Sequence, residues 1–210
     1  MMSNEITSLY LFDFDDTLAS TANVIKVTKV IDGVKQEPIN LESEEFEQYR
    51  QQPEEDRADD IIDFSDFNYV NEPVPLENTI KIMMHAYNES DSKVAIITAR
   101  PSASRKDISE FLIAHGMNID DNDINTVGDQ GGKPIHKLAV AKQYVEKYHP
   151  KQVHFYDDSQ KNNNAIMQLC QEVDERITVY TYGIVSGAPV PDDNCISFDA
   201  ERMMEIAGIK

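Results

Sequence analysis

The sequence predicts an α/β fold, with a parallel sheet covered by helices on both faces and a small α+β cap inserted near the N-terminus. Three observations predict it. Short apolar runs at residues 9–12, 94–97 and 153–156 end abruptly in acids, a hydroxyl or a cation. Segments with helical spacing of apolar residues separate those runs, as expected where strands are buried on both faces. Residues 20–75 break the alternation and read as a hairpin, a helix and an acidic loop.

The first strand is Leu9-Tyr10-Leu11-Phe12, followed at once by Asp13-Phe14-Asp15-Asp16-Thr17. Asp is disfavoured in strands and costly to bury without partners. Alternation sends Asp13 and Asp15 to one side and Phe14 to the other. Two carboxylates converging at the end of a buried strand suit a Mg²⁺ site that handles phosphate. The plain alternative is an acidic turn.

In the insertion, Val24 to Ile31 is rich in β-branched residues, Asp32-Gly33 is a hairpin turn signal, and the return strand starts at Val34. A helix opens near Leu41 and ends at Gln52-Pro53. Between Glu42 and Asp66 lie eleven acids, against only Arg50 and Arg57 as bases. Such a surface discourages polyanions if it faces a site. Lys26, Lys29 and Lys35 of the hairpin read as ordinary solvated strand positions.

Beyond the insertion, Ile80, Met83, Met84 and Tyr87 mark a helix over 76–88, and the strand from Val94 ends in Thr98-Ala99-Arg100. Ile108, Phe111, Leu112 and His115 mark the next helix, with Gly116 as its stop. The Asp120-Asp121-Asn122-Asp123 run lacks the glycine and terminal Glu of a Ca²⁺ loop and reads as a solvated turn. Gly131-Gly132-Lys133-Pro134 is a glycine loop with a lysine, and Pro134 suits the first turn of a helix carrying Leu138, Ala141, Val145 and Tyr148. Val153 to Tyr156 is a strand ending in Asp157-Asp158, followed by a helix face of Ile166, Leu169, Cys170 and Val173. A strand over 177–182 and a terminal helix over 200–207 complete the pattern. Ligands of such sheets bind beyond the carboxyl ends of the strands, where these polar residues fall.

In chain order the strand ends supply Asp-x-Asp, then Thr, then a Lys loop, then Asp-Asp. This resembles the haloacid dehalogenase (HAD) superfamily of phosphohydrolases at all four of its motifs, over roughly residues 6 to 182. Asp13-Phe14-Asp15-Asp16-Thr17-Leu18 is similar to the first motif, Thr98 to the second, Lys133 to the third and Asp157-Asp158 to the fourth. The resemblance implies a Rossmann-like, doubly wound core from residues 1–19 and 76–210, with residues 20–75 as a cap after the first motif. It also implies a Mg²⁺-dependent phosphatase in which Asp13 is the nucleophile. Asp15 would be general acid, then base, and would lend its backbone carbonyl to the metal. For the first role Asp15 must be protonated near neutral pH. Thr98 and Lys133 would bind the phosphoryl group, with Lys137 as rival to Lys133. Asp157 and Asp158 would complete the metal site, either being the direct ligand. Arg100 would bind substrate or pair with an acid. His136, at a helix start, reads as structural.

The chain also resembles small capped phosphatase-like proteins of tailed bacteriophages, through Phe12 to Leu18, Asp63-Phe64-Ser65-Asp66-Phe67 and Ile97-Thr98-Ala99-Arg100. The expected substrate is a small phosphomonoester. A polynucleotide-end phosphatase and a non-catalytic phosphate-binding protein on the same fold are the alternatives.

Composition limits the partners. The net charge of −19 opposes long-range attraction to nucleic acid or to acidic membranes. No apolar stretch approaches the ~20 residues of a membrane span, and the N-terminus lacks the basic and apolar regions of a signal peptide. Cys170 and Cys195 form neither a disulfide framework nor a metal spacing, which fits a reducing cytoplasm.

Overall fold

The computed structural model describes residues 5–169, 173 and 177–192. Cys170, Cys195 and the expected helix over 200–207 lie outside them. Along the chain come β1 (Ser8–Phe12), β2 (Ala19–Ser20), β3 (Ile25–Thr28), β4 (Val30–Ile31), β5 (Val34–Lys35), β6 (Ile39–Leu41), α1 (Ser43–Arg50), β7 (Ile61–Asp63) and β8 (Val74–Pro75). Then follow α2 (Glu77–Asn88), β9 (Ser92–Thr98), α3 (Arg105–Ala114), β10 (Ile124–Thr126), α4 (Pro134–Tyr148), β11 (Gln152–Tyr156), α5 (Gln160–Ile166), β12 (Thr178–Val185) and β13 (Ala188–Pro191).

Six strands form one sheet in the order β10-β9-β1-β11-β12-β13, parallel except for β13. The chain enters at the centre with β1, builds outward through β9 to β10, and returns on the other side of β1 with β11 and β12. The order therefore reverses between β1 and β11, the crevice where open α/β sheets bind ligands.

Alternation along β1 separates two cores. Tyr10, Phe12 and Phe14 pack with Ile80, Met83 and Ala86 of α2 and with Ile108, Phe111 and Leu112 of α3. Leu9 and Leu11 pack with Leu138, Ala141 and Val145 of α4 and with Ile166 of α5. On the first face, residues in parallel register stack their rings. Tyr10, His154 and Tyr180 lie at centroid spacings of 4.5 and 4.8 Å, and Phe12, Tyr156 and Tyr182 at 4.6 and 4.4 Å. These ladders fix the register of β1, β11 and β12, and so the relative height of the residues that follow β1 and β11.

Between β2 and β8 the chain builds a second small sheet, β6-β3-β7, all antiparallel. Ile25, Val27, Phe46 and Tyr49 are buried beneath it, with Ile62 and Phe67 packed against them. The expected hairpin turn is present, with Asp32 and Gly33 both at positive φ (52° and 75°). Its β4 and β5 arms are only two residues each, and β3 pairs with β6 and β7 instead.

Several details differ from expectation. β10 and β13 do not stand out in the sequence. In α2 the buried face includes Ile82 and Ala86, whereas Met84 is exposed. Asp123 is not solvated. It is buried, pairs with Lys93 and accepts from Tyr144 Oη at 2.9 Å. Among the described residues, no helix is long and apolar enough to cross a membrane.

Candidate active site

Asp13 is the residue after β1, and its N–H donates to Tyr156 O (2.9 Å), continuing the parallel ladder by one rung. It therefore shares the parity of Leu11 and faces α4. The backbone then turns sharply. Phe14 O accepts from Leu18 N and Ala19 N (2.9 and 3.0 Å), and Asp16 adopts φ 52°, a conformation Asp tolerates better than most residues. Thr17 is buried, and its Oγ1 accepts from the Asp158 N–H at 3.2 Å, tying the first acidic turn to the last.

Asp157 follows β11, with its N–H donating to Tyr182 O (3.1 Å). Its carboxylate is fully enclosed by donors. Oδ1 accepts from Ser159 N and Asn162 Nδ2 (both 2.9 Å), and Oδ2 accepts from Lys137 Nζ (2.7 Å) and Asn162 Nδ2 (3.0 Å). Its carbonyl accepts from the buried Asn163 (3.1 Å). Asn162 and Asn163 were not singled out by sequence. The signal that marks them is their place in the first turns of the helix following an acidic strand end.

The lysine that the structure brings to Asp13 and Asp157 is Lys137, the rival, and not Lys133. Lys137 is 1% exposed, and its ammonium sits 2.9 Å from Asp13 Oδ1 and 2.7 Å from Asp157 Oδ2. Pro134 is the first residue of α4, so Lys133 lies before the helix, with its N–H donating to His136 Nδ1 at 3.3 Å. One turn into the helix, residue 137 falls on the core-facing stripe.

Oxygens of Asp13, Asp157 and Asp158 come within 4.8 Å of one another, with Asp158 the exposed member. Burial pushes the Asp13 carboxyl well above the usual carboxylate range. Lys137 opposes this, and the Asp157, Asp158 and Asp15 carboxylates add to it. Asp158 is pushed up to about 7 by desolvation, then by Asp157 and Asp16. Burial weakens the charge of Lys137, but Asp13 and Asp157 outweigh it and hold its ammonium above the ordinary lysine value. Three carboxylates thus gather around one ammonium that pairs with two of them. That surplus of negative oxygen fits a hard divalent cation such as Mg²⁺.

Thr98 ends β9, the other neighbour of β1. It is fully buried, and its Oγ1 accepts the Arg100 N–H at 3.2 Å. Asp15 lies apart from the metal-compatible trio. Both of its oxygens accept from the Arg100 guanidinium, at 2.7 and 2.8 Å, and Thr21 Oγ1 donates to Oδ1 at 3.2 Å. Both oxygens are thus occupied as acceptors, where the expected acid role needs one of them to donate. Arg100 is itself 1% exposed with its donors engaged. Of its two expected roles the structure shows the acid pair, and no donor remains for a substrate.

No family model matches the chain, and no curated protein matches it in sequence. Among solved structures, it is similar to the HAD domain of the effector protein Lem4 from Legionella pneumophila. That match has a TM-score of 0.43 and 15% identity, and covers 85% of this chain and 87% of that one. A likeness at this level transfers no activity, so function rests on this chain's own residues.

Proposed function

We propose that the protein is a Mg²⁺-dependent phosphatase that hydrolyses a small phosphomonoester through an aspartyl-phosphate on Asp13. The observation that carries this is the Lys137 ammonium held between Asp13 and Asp157 at the β1/β11 switch point, with Asp158 alongside. A buried nucleophile, a fixed cation and a surplus of carboxylates are the parts phosphoryl transfer needs.

In the first half-reaction an Asp13 oxygen attacks phosphorus, and the bond from phosphorus to the leaving oxygen breaks. Asp15 gives a proton to that oxygen, and for this step one of its carboxylate oxygens must carry that proton in place of a contact with Arg100. In the second half Asp15 takes a proton from water, the resulting hydroxide attacks phosphorus, and the bond to Asp13 breaks, returning free carboxylate and inorganic phosphate. Lys137 would offset charge on Asp13 and the transferring group, and Thr98, by resemblance to the HAD superfamily, would donate its hydroxyl to a phosphoryl oxygen. Asp13, Asp157 and Asp158 would hold the cation, with the Asp15 carbonyl as a further ligand by resemblance to the HAD superfamily. When bound, the cation supplies charge neutralisation between carboxylate and phosphate.

The acids of the inserted unit favour a small substrate over a polymer. Glu42, Glu45, Glu47, Glu54, Glu55, Asp56 and Asp59 are all exposed. A reducing cytoplasm is the proposed setting, that of the host cell if the phage-like resemblance reflects origin.

The test is phosphate release in Mg²⁺ from nucleotides, sugar phosphates and 3′-phosphorylated oligonucleotides, with Asp13→Asn alongside. Asp13-dependent release from the small esters is expected. Release confined to the oligonucleotides would favour an end-processing enzyme. Silence from a folded, Mg²⁺-binding protein would favour a binding role.

A further inference from the structure

Arg100 is among the largest fully buried side chains, and its guanidinium faces two parts of the chain at once. Nε and Nη2 hold the two oxygens of Asp15. The same Nη2 donates to Asn23 Oδ1 at 2.7 Å and lies 3.1 Å from Thr21 Oγ1. Nη1 donates to the carbonyls of Tyr69 and Phe67, the latter at 3.3 Å. The Phe14 ring of the core and the Phe67 ring of the inserted unit lie 5.6 and 5.0 Å from its Cζ.

Residues 21–23 lead into the inserted unit, and residues 67–71 lead out of it. The two junctions are joined to each other around the guanidinium. Ala22 N donates to Asn71 O (2.9 Å), Asn71 N to Asn23 Oδ1 (3.2 Å), and Asn23 Nδ2 to Asp66 O and Tyr69 O (2.7 and 3.2 Å). One buried cation therefore serves Asp15 and both junctions, and its loss removes a charged donor from each of them at once.

We propose that Arg100 is a positioning residue that clasps both junctions of the inserted unit and orients Asp15 with the same guanidinium. Seating of the unit and alignment of the acid–base carboxylate are then one event. The role of Asp15 rests on the phosphatase proposal, whereas the clasp does not. Alignment matters most when the leaving oxygen needs a proton. Alkyl phosphates therefore depend on it more than p-nitrophenyl phosphate, whose leaving group departs as a stable anion.

The experiment uses the full chain with Arg100→Lys, which keeps the charge and loses the fork, and with the near-isosteric Thr21→Val. Each is made alone and with Asp15→Asn. Amide hydrogen exchange at residues 22–24 and 69–71 reads the clasp. The ratio of kcat/KM for glycerol phosphate to that for p-nitrophenyl phosphate, which reports the first half-reaction and not the shared second half, reads the alignment. Arg100→Lys is expected to speed junction exchange about tenfold or more, and Thr21→Val to act in the same direction by less. Arg100→Lys should also lower kcat/KM for the alkyl ester at least tenfold more than for the aryl ester, and add little once Asp15 is Asn. Unchanged junction exchange would overturn the clasp whatever the activity. Equal losses on both substrates, or losses that multiply with Asp15→Asn, would overturn the positioning role. Absence of Asp13-dependent release from either ester would overturn the phosphatase proposal and the Asp15 role together, with exchange alone then deciding the clasp.

Discussion

Lys137 places its ammonium 2.9 Å from Asp13 Oδ1, in a site where both side chains are withdrawn from water. The same ammonium neutralises Asp157, so removing it leaves buried carboxylates without their cation. Lys137→Ala should cost about 3–5 kcal/mol of stability in urea unfolding without divalent metal, and abolish turnover. Lys133→Ala, before the helix and outside the site, should stay within about 0.5 kcal/mol and keep its turnover. Equal effects would place the wrong lysine in the site.

Asp158 is the accessible edge of the carboxylate trio and carries little of the Lys137 contact. Mg²⁺ should raise the melting temperature of the wild type, and EDTA should reverse the rise. At a hundredfold excess over its dissociation constant a single-site ligand adds about 2.7 kcal/mol. Asp158→Asn should lose most of that gain while melting near the wild-type temperature in EDTA. An undiminished Mg²⁺ shift in the variant would move the cation elsewhere.

His154 lies in the aromatic ladder, 1% exposed, and burial pushes its pKa down to about 3. The unfolded chain takes up this proton near 6.5, and the folded chain only near 3. The contribution is therefore complete above about 6.5 and is lost as pH falls toward 3, at up to about 1.4 kcal/mol per pH unit. His154→Phe keeps the stack and removes the titration. Its stability relative to wild type should improve steadily below pH 6.5. Parallel curves for the two proteins would contradict the assignment.

Gly128 sits against the backbone that follows β9. A Cβ there would meet Ala99 O at 2.4 Å and the Arg100 carbonyl carbon at 2.6 Å, and the Gly128 N–H donates to Arg100 O at 3.0 Å. Backbone cannot step aside as a side chain can. Gly128→Ala should destabilise by about 1–3 kcal/mol and lower turnover, since the displaced segment carries Thr98 and Arg100. A neutral effect on both would show that the loop moves freely.

The strand ends are legible because each apolar run stops at a residue whose chemistry suits the carboxyl end of a buried strand. β10 was not, since Ile124-Asn125-Thr126 offers one buried apolar residue and three residues of pairing. β13 carries Pro189 and Pro191, which argue against a strand but are tolerated at an antiparallel edge. Lys137, the rival, and not Lys133 stands beside the acids, and the pattern carries the reason. Residues 133, 137, 141 and 145 share one helical stripe. Pro134 at the first helical position removes 133 from it, leaving Lys137 as a cation on a buried face. The partner of Arg100 was open because Asp15 is 85 residues away in sequence, and local pattern carries no such distance.

The most direct measurement asks where the phosphoryl group rests during turnover. A working phosphomonoester would be mixed with the protein in Mg²⁺, quenched with borohydride during the steady state, and mapped by peptide mass spectrometry. An acyl phosphate on Asp13 predicts reduction of that side chain to homoserine at position 13, absent without substrate and absent in Asp13→Asn. Capture of the group at another residue, or unimpaired turnover by Asp13→Asn, would contradict the account.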